Sequence, residues 1–324
     1  MTGKREKTAA LSKGRQQGGL QKAALYFWKH KYLYLMLLPG LVYLFINNYM
    51  PMAGIIIAFK KYNYSLGIFK SPFTGLKNFE FLFKTKDAWT ITRNTLGYNI
   101  IFIVLGTVLA IAVAILLNEI RSTMGKKVYQ TLILIPFLIS IVVVSYLVYG
   151  FLSTDAGFIN NSILKPMGKE AIGWYSNAKY WPFILIFVNI WKNLGYNCII
   201  YYATVVGLDA SLYESASIDG ANRWQRIVHI TLPGLKTTII TLTLMSVGRI
   251  FYSDFGLFYQ VPMNSGPLID VTNTIDTYVY RGLMELNNIG MASAAGLYQS
   301  LVGFALVLIA NLIVRRLDEN SALF

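Results

Sequence analysis

The sequence predicts an all-α integral membrane protein with six transmembrane helices, and three observations carry that expectation. Apolar types make up 55% of the 324 residues and charged types only 14%, whereas a soluble domain carries about a quarter charged residues. The mean hydropathy is +0.49. The apolar residues gather into six long runs nearly free of charge, and a helix needs about 20 such residues to cross a bilayer. Open strands would leave backbone groups unpaired in lipid, and the runs are too long and too uniformly apolar for barrel strands. The remaining charge is lopsided, with 29 Lys+Arg against 15 Asp+Glu and a net charge of +14. Such basicity suits nucleic acid only on a soluble basic patch. Here apolar runs separate the basic residues, so no nucleic-acid partner is expected. One cysteine, Cys198, and two histidines exclude a disulfide framework and a Cys- or His-rich metal site.

Residues 1–31 read as a basic cytoplasmic tail. Lys4, Arg5, Lys7, Lys13, Arg15, Lys22, Lys29 and Lys31 face only Glu6, and attraction to anionic lipid accounts for them. The apolar stretch that follows is too long for a signal-peptide core and lacks a small-residue cleavage site. It is therefore a retained first span, 32–59, bent at Pro39 and Pro51. The second span is 94–118. The third, 128–152, contains Pro136, and the fourth, 181–208, is broken only by Lys192. The fifth, 232–253, has Lys236 at its start and Arg249 inside, and the sixth, 286–314, is uncharged. Together these make a transmembrane domain over 32–316 with a short cytoplasmic tail at 317–324. Basic residues favour the N-terminus inside, because the tail charges lie next to the first span; the basic segment 60–93 weakens the bias. The outer segments 60–93, 154–180 and 254–290 are each too short for a separate domain. Within 77–84, the aromatics around Phe79 suit either an interfacial helix or a packed loop.

The inner loop 208–235 carries the most information. Ser211 and Glu214 have the Ser-x-x-Glu spacing of a capping box, so a helix should start near Ser211. Gly220 should end it. A second helix, 221–229, would place Ala221, Trp224 and Val228 on one face. Pro233 would then let the chain turn into the fifth span. Two short helices in a bent pair make a compact knob suited to a groove in a partner. Glu214-Ser215-Ala216, three residues, Gly220, nine residues, Ile230-x-Leu232-Pro233 resembles the EAA loop of ABC-importer permeases. Only Ser215 departs from the family's pattern, small for small. Tyr213, Ile218-Asp219-Gly220-Ala221 and Trp224 are similar to its carbohydrate branch. Gly75 to Phe79 and Asn94-Thr95-Leu96 are similar to the start of that family's core, and Ile275 to Arg281 and Gly296 to Ser300 resemble its subgroup that imports complex oligosaccharides.

The resemblance implies a permease subunit with the type I importer fold, both termini cytoplasmic, in a bacterial cell membrane. It implies a second homologous permease in a heterodimer, two cytoplasmic ATPase subunits and an extracytoplasmic solute-binding protein. ATP with magnesium would sit on the ATPase partner, and this chain would bind no cofactor. Glu214, Ser215, Ala216, Gly220, Arg223, Trp224, Ile230, Leu232 and Pro233 would form the docking knob. Glu214 would meet a basic residue of the ATPase and Gly220 would supply the bend. The plainer roles are helix capping for Glu214 and a membrane-interface anchor for Trp224.

Polar residues inside spans are costly and point to function. Asn189, Asn193 and Asn197 recur every four residues, with Lys192 and Tyr196 in an adjacent row, making one polar face of a helix. Lys192 would lie roughly 16 Å into the span at 1.5 Å per residue. Span five offers Ser246, Arg249 and Ser253 at i, i+3 and i+7, with Tyr252 nearby. Amides, hydroxyls and rings suit a sugar, and the family's helices flanking the EAA loop line its substrate cavity. The rival role for these residues is interhelical bonding. Lys192 has a salt bridge to another helix or subunit as its alternative, and Arg249 has a pairing with Asp254. Two cations also suit an anionic sugar.

No P-loop, zinc-protease motif, nucleophile elbow or catalytic carboxylate pair occurs, so the chain is not expected to be an enzyme. A stand-alone secondary transporter would need inverted repeats and carboxylates within spans, and neither is seen. A non-sugar cargo would keep the family but leave the flanking motifs unexplained.

Overall fold

The computed structural model describes residues 26–317, so most of the basic tail and residues 318–324 lie outside the described part. Among the described residues the chain is helical, with one isolated bridge, Lys60 to Phe73, and no strand. Five helices are long and apolar enough to cross a membrane, or six if a bent pair counts as one span. The chain divides into two units at Ile56–Ile57.

The first unit is built on α1 (Lys31–Leu44), which contains Pro39. A π turn (Phe45–Tyr49) and a short helix with Pro51 follow, and a 3₁₀ stretch (Ala53–Phe59) leads into the second unit. Pro51 has no N–H for the carbonyl four residues back, and the winding departs from α around it. The run Lys31–Phe59 is 29 residues long.

The second unit contains α2 (Asp87–Glu119), α3 (Thr123–Leu138), α4 (Ile141–Leu152), α5 (Trp181–Val206), α6 (Ala210–Ile218), α7 (Arg223–Val247), α8 (Ile275–Met284) and α9 (Ile289–Leu317). α2 starts before the expected 94 because Asp87 begins it, a charge that suits a helix N-terminus. α2 and α5 lie side by side with matching ends together. Tyr98 meets Trp181, Leu185 and Val188 near their starts, and Ala110, Ala114 and Leu117 meet Cys198, Tyr201 and Val205 near their ends. Small residues such as Ala110 and Ala114 let two helices approach closely.

The expected third span is not one helix. α3 and α4 meet at 94° across the break at Ile139–Ser140. Pro136 withholds an N–H within the last turn of α3, and the chain is extended at Ile139 and Ser140. α3 returns along α5 so closely that a Cβ on Gly195 would sit 1.9 Å from the Ile133 carbonyl oxygen. Gly195→Ala should therefore force α3 off α5 and cost about 1–3 kcal/mol of stability. A thermal unfolding midpoint in micelles equal to wild type would contradict this contact.

The fifth span is also shifted. α7 begins at Arg223, passes through a π turn (Ile227–Thr231) and ends at Val247. Pro233 does not turn the chain; it lies inside α7 directly after the π turn, the departure from α winding that admits a residue without an N–H. After Val247 the backbone tightens into three-residue turns, with the Arg249, Ile250 and Tyr252 amides bonded to the Ser246, Val247 and Arg249 carbonyls, and side chains take up its remaining groups. Asn99 donates to the Ile250 and Tyr252 carbonyls at 2.8 and 2.9 Å, and Gln299 donates to the Phe251 carbonyl at 2.7 Å. Asp276 accepts from the Ser253 amide and hydroxyl, both at 2.7 Å, and from Gln299. Asn94 donates to the Asp270 and Asn273 carbonyls. The Asn99, Gln299 and Asp276 bonds fix the segment just after Arg249, and the Asn94 bonds hold the 270–273 turn. α9 begins and ends three residues later than expected and carries Arg315 and Arg316 in its last turn, where cations suit the dipole. Phe79 is buried against Ala58, Ile91 and Phe251, which makes it a packed residue rather than an interfacial one.

Candidate functional site

Two features stand out, one at each part of α5 and α7. The first is the loop between them. α6 is capped by Asp209, whose carboxylate accepts from the Ser211 amide at 2.9 Å. That hydrogen bond holds the Asp209 carboxyl below the usual carboxylate range. The expected Ser211–Glu214 capping box is therefore not formed. The box that exists is Asn222–Gln225, with reciprocal bonds of 2.8 and 2.9 Å, and it starts α7. This Asn-x-x-Gln pair has the same spacing and is the signal in the sequence that marks the true helix start. The second helix of the bent pair is thus the first part of α7 rather than a separate piece over 221–229.

Gly220 ends α6 at φ +80°, and the Ala221 amide returns to the Ala216 carbonyl at 2.8 Å. This is the left-handed turn that glycine takes at least cost. Glu214 is exposed, with no hydrogen bond or ion pair to any described residue. Trp224 is 71% and Ile218 is 86% exposed. Ser215 turns its hydroxyl back to the Ser211 carbonyl. Tyr213 bonds Thr231 at 3.0 Å, and Arg226 donates to Ser217 at 2.9 Å. Arg223 lies 3.9 Å from Glu119, at the end of α2. These links tie α6 and α7 into one lever braced on α2. Leu232 is exposed and Ile230 partly so, with Pro233 beside them on the outer surface of α7.

The second feature is a cavity of about 530 Å³ among α2, α3, α5 and α7, with polar side chains set in a largely apolar lining that includes Phe102, Ile200 and Met245. Asn189, Asn193, Tyr196, Asn197, Ser246 and Arg249 line it, joined by Thr107, Phe137 and Tyr201. The four-residue repeat of asparagines on α5 brings them to one wall. Asn193 donates to the Asn189 carbonyl at 3.0 Å, which leaves its amide oxygen toward other partners. The Arg249 guanidinium has no hydrogen bond or ion pair to any described residue. Asp254, the partner the sequence offers it, instead accepts from the Leu257 amide at 3.1 Å.

Lys192 and Tyr252 depart from the expected set and do not line this cavity. The Lys192 ammonium points to the α3–α4 break and donates to the carbonyls of Pro136, Phe137 and Ile139. No carboxylate pairs with it among the described residues. Tyr252 lies past the end of α7, with its carbonyl held by Asn99. Ser253 is drawn to Asp276 and shares no helical face with Ser246 and Arg249, because the helix has already ended. Phe137 is a cavity residue that no motif or spacing marks.

Comparison with known proteins fits this arrangement. The chain is 35% identical to the polygalacturonan/rhamnogalacturonan transport system permease protein YteP of Bacillus subtilis (strain 168), over 90% of each chain. It is 34% identical to protein LplB of the same organism, over 90% of this chain and 91% of that one. The fold matches the crystal structure of a bacterial ABC transporter involved in import of the acidic polysaccharide alginate. That match has a TM-score of 0.82 and 32% identity, covering 90% of this chain and 98% of the other. A second structure of a bacterial alginate ABC transporter, in complex with alginate pentasaccharide-bound periplasmic protein, gives a TM-score of 0.81 at 33% identity, over 90% and 96%. The family model for the binding-protein-dependent transport system inner membrane component matches residues 103–319, and the chain belongs to that family of multi-pass ABC transporter permeases.

Proposed function

We propose that the chain is the permease subunit of an ATP-driven, binding-protein-dependent importer of acidic oligosaccharides in a bacterial cell membrane. The observation that carries the reading is the cavity, where amides, aromatic rings and one arginine uncommitted to any described residue stand among aliphatic side chains. Amides pair with sugar hydroxyls, rings take the C–H faces, and a guanidinium matches a carboxylate in a two-pronged geometry. The similarity to polygalacturonan and alginate transporters supports an anionic cargo.

The two features work as one device in this reading. α5 and α7 line the cavity and also lead into the knob formed by α6 and the start of α7. The knob docks on a cytoplasmic ATPase subunit, with Glu214 and Trp224 outward and Gly220 as the hinge. Closure of two ATPases around ATP and magnesium moves the knob, and α5 and α7 then re-aim the cavity walls. Both termini lie in the cytoplasm, following the basic residues near the first span. A second permease supplies the other half of the pathway, and a solute-binding protein delivers the sugar from outside.

The test is purification of the tagged chain from its own membrane in mild detergent. A second permease and an ATPase should accompany it. ATP hydrolysis of the complex in nanodiscs should rise when binding protein and trigalacturonate are added together. A chain that purifies without an ATPase would reject the importer, and equal stimulation by a neutral trisaccharide would reject only the acidic cargo.

A further inference from the structure

α3 ends within the apolar part of the molecule, where lipid makes a helix end costly. A helix C-terminus leaves carbonyls without intrahelical donors, and the hydrocarbon offers no water to replace them. Pro136, with no N–H, frees the Leu132 carbonyl one turn earlier, and at the helix end the Pro136 carbonyl accepts from the Ile139 amide at 3.3 Å. At this point the Lys192 ammonium approaches from α5. It donates to the Phe137 carbonyl at 3.1 Å, to that of Pro136 at 3.4 Å and to that of Ile139 at closer range. An ammonium has three donors and no acceptor, which suits three converging carbonyls. Its charge also lies at the negative end of the α3 dipole. A lysine inside a span normally needs a carboxylate or a water-filled path, and here backbone oxygens take that place.

The same contact reaches the cavity. Phe137, whose carbonyl Lys192 holds, turns its ring toward Tyr196, one turn beyond Lys192 on α5. The rings are stacked at 4.6 Å with 12° between planes, and both line the cavity. The Lys192 ammonium lies 5.9 Å from the Phe137 ring centre. We propose that Lys192 is a positioning residue that caps the α3–α4 break and thereby fixes Phe137 and Tyr196 as a stacking platform for the sugar ring. It touches no sugar itself. The platform role rests on the proposed path of the cargo through this cavity; the capping role does not.

Two measurements on the assembled complex in nanodiscs separate those claims. In the first, spin labels replace Tyr129 on α3 and Tyr146 on α4, both exposed, in a Cys198→Ser background, and their distance distribution is read by pulsed electron resonance. Wild type should give one narrow distance, Lys192→Met a broad or displaced one, and Lys192→Arg a near-wild-type one. An unchanged distribution in Lys192→Met overturns the cap. Failure of Lys192→Met to assemble, with recovery in Lys192→Arg, supports it, whereas equal failure of both overturns it.

In the second, trigalacturonate with its binding protein is the probe, and half-saturation of ATP hydrolysis is read. Lys192→Met and Phe137→Ala should each raise it about tenfold, and the double variant should raise it no further. A double effect near a hundredfold would mean that Lys192 does not act through Phe137. Were trigalacturonate inert on wild type, the cargo reading would fail while the spin-label result still decided the cap.

Discussion

Glu214→Lys should abolish uptake while the chain still folds and reaches the membrane. Glu214 is exposed and makes no hydrogen bond or ion pair with a described residue that the substitution would break. Asp209 performs the capping for which the spacing of Glu214 also suits it, so loss of the carboxylate leaves α6 intact. Any large effect must then come from a partner. If a basic residue of the ATPase receives Glu214, the reversal places two cations face to face. Such a juxtaposition costs several kcal/mol, on the order of a hundredfold in docking affinity at about 3 kcal/mol. The measurements are uptake in cells, membrane content by blotting, and recovery of the ATPase with the purified chain. Normal uptake would remove Glu214 from the docking surface. Gly220 gives an internal control. A Cβ there meets nothing within 4 Å, so only its φ of +80° resists substitution. Gly220→Ala should cost about 1–2 kcal/mol and leave much of the uptake. Gly220→Pro cannot adopt that φ and should eliminate it.

Part of this arrangement is legible in the sequence because certain requirements are local. A positive φ at a helix end calls for glycine, so the residue type alone places Gly220 in its turn. Length and lack of charge mark the spans. The break at Ile139–Ser140 is hidden because the apolar composition continues through it, and composition carries no angle. Lys192 reads as a pathway residue because a sequence displays side-chain partners and not backbone carbonyls. The fifth span extends on paper to Ser253 because Ile250 and Phe251 prolong the apolar run. The chain leaves the helix there since Asn99, Gln299 and Asp276, distant in sequence, supply the bonds the ladder would have made. The asparagine wall shows through its four-residue period, whereas Phe137 reaches the same cavity only by way of the break.

Arg249→Gln should separate acidic from neutral cargo. The side chain stands at the cavity with no hydrogen bond or ion pair to a described residue, so its removal breaks no internal polar pairing. A hydrogen bond to a charged group contributes about 1.5–3 kcal/mol, which corresponds to roughly 10- to 150-fold in affinity. Half-saturation by trigalacturonate, read as binding-protein-dependent ATP hydrolysis, should rise within that range. A neutral trisaccharide that stimulates wild type at all should respond little to the change. Arg249→Lys keeps the charge but loses the two-pronged geometry, so it should fall between. Equal losses for acidic and neutral sugars would make Arg249 a structural residue. No loss with either would move the carboxylate contact elsewhere, since Lys192 is committed to the α3 carbonyls and, among the described residues, no other Lys or Arg lines this cavity.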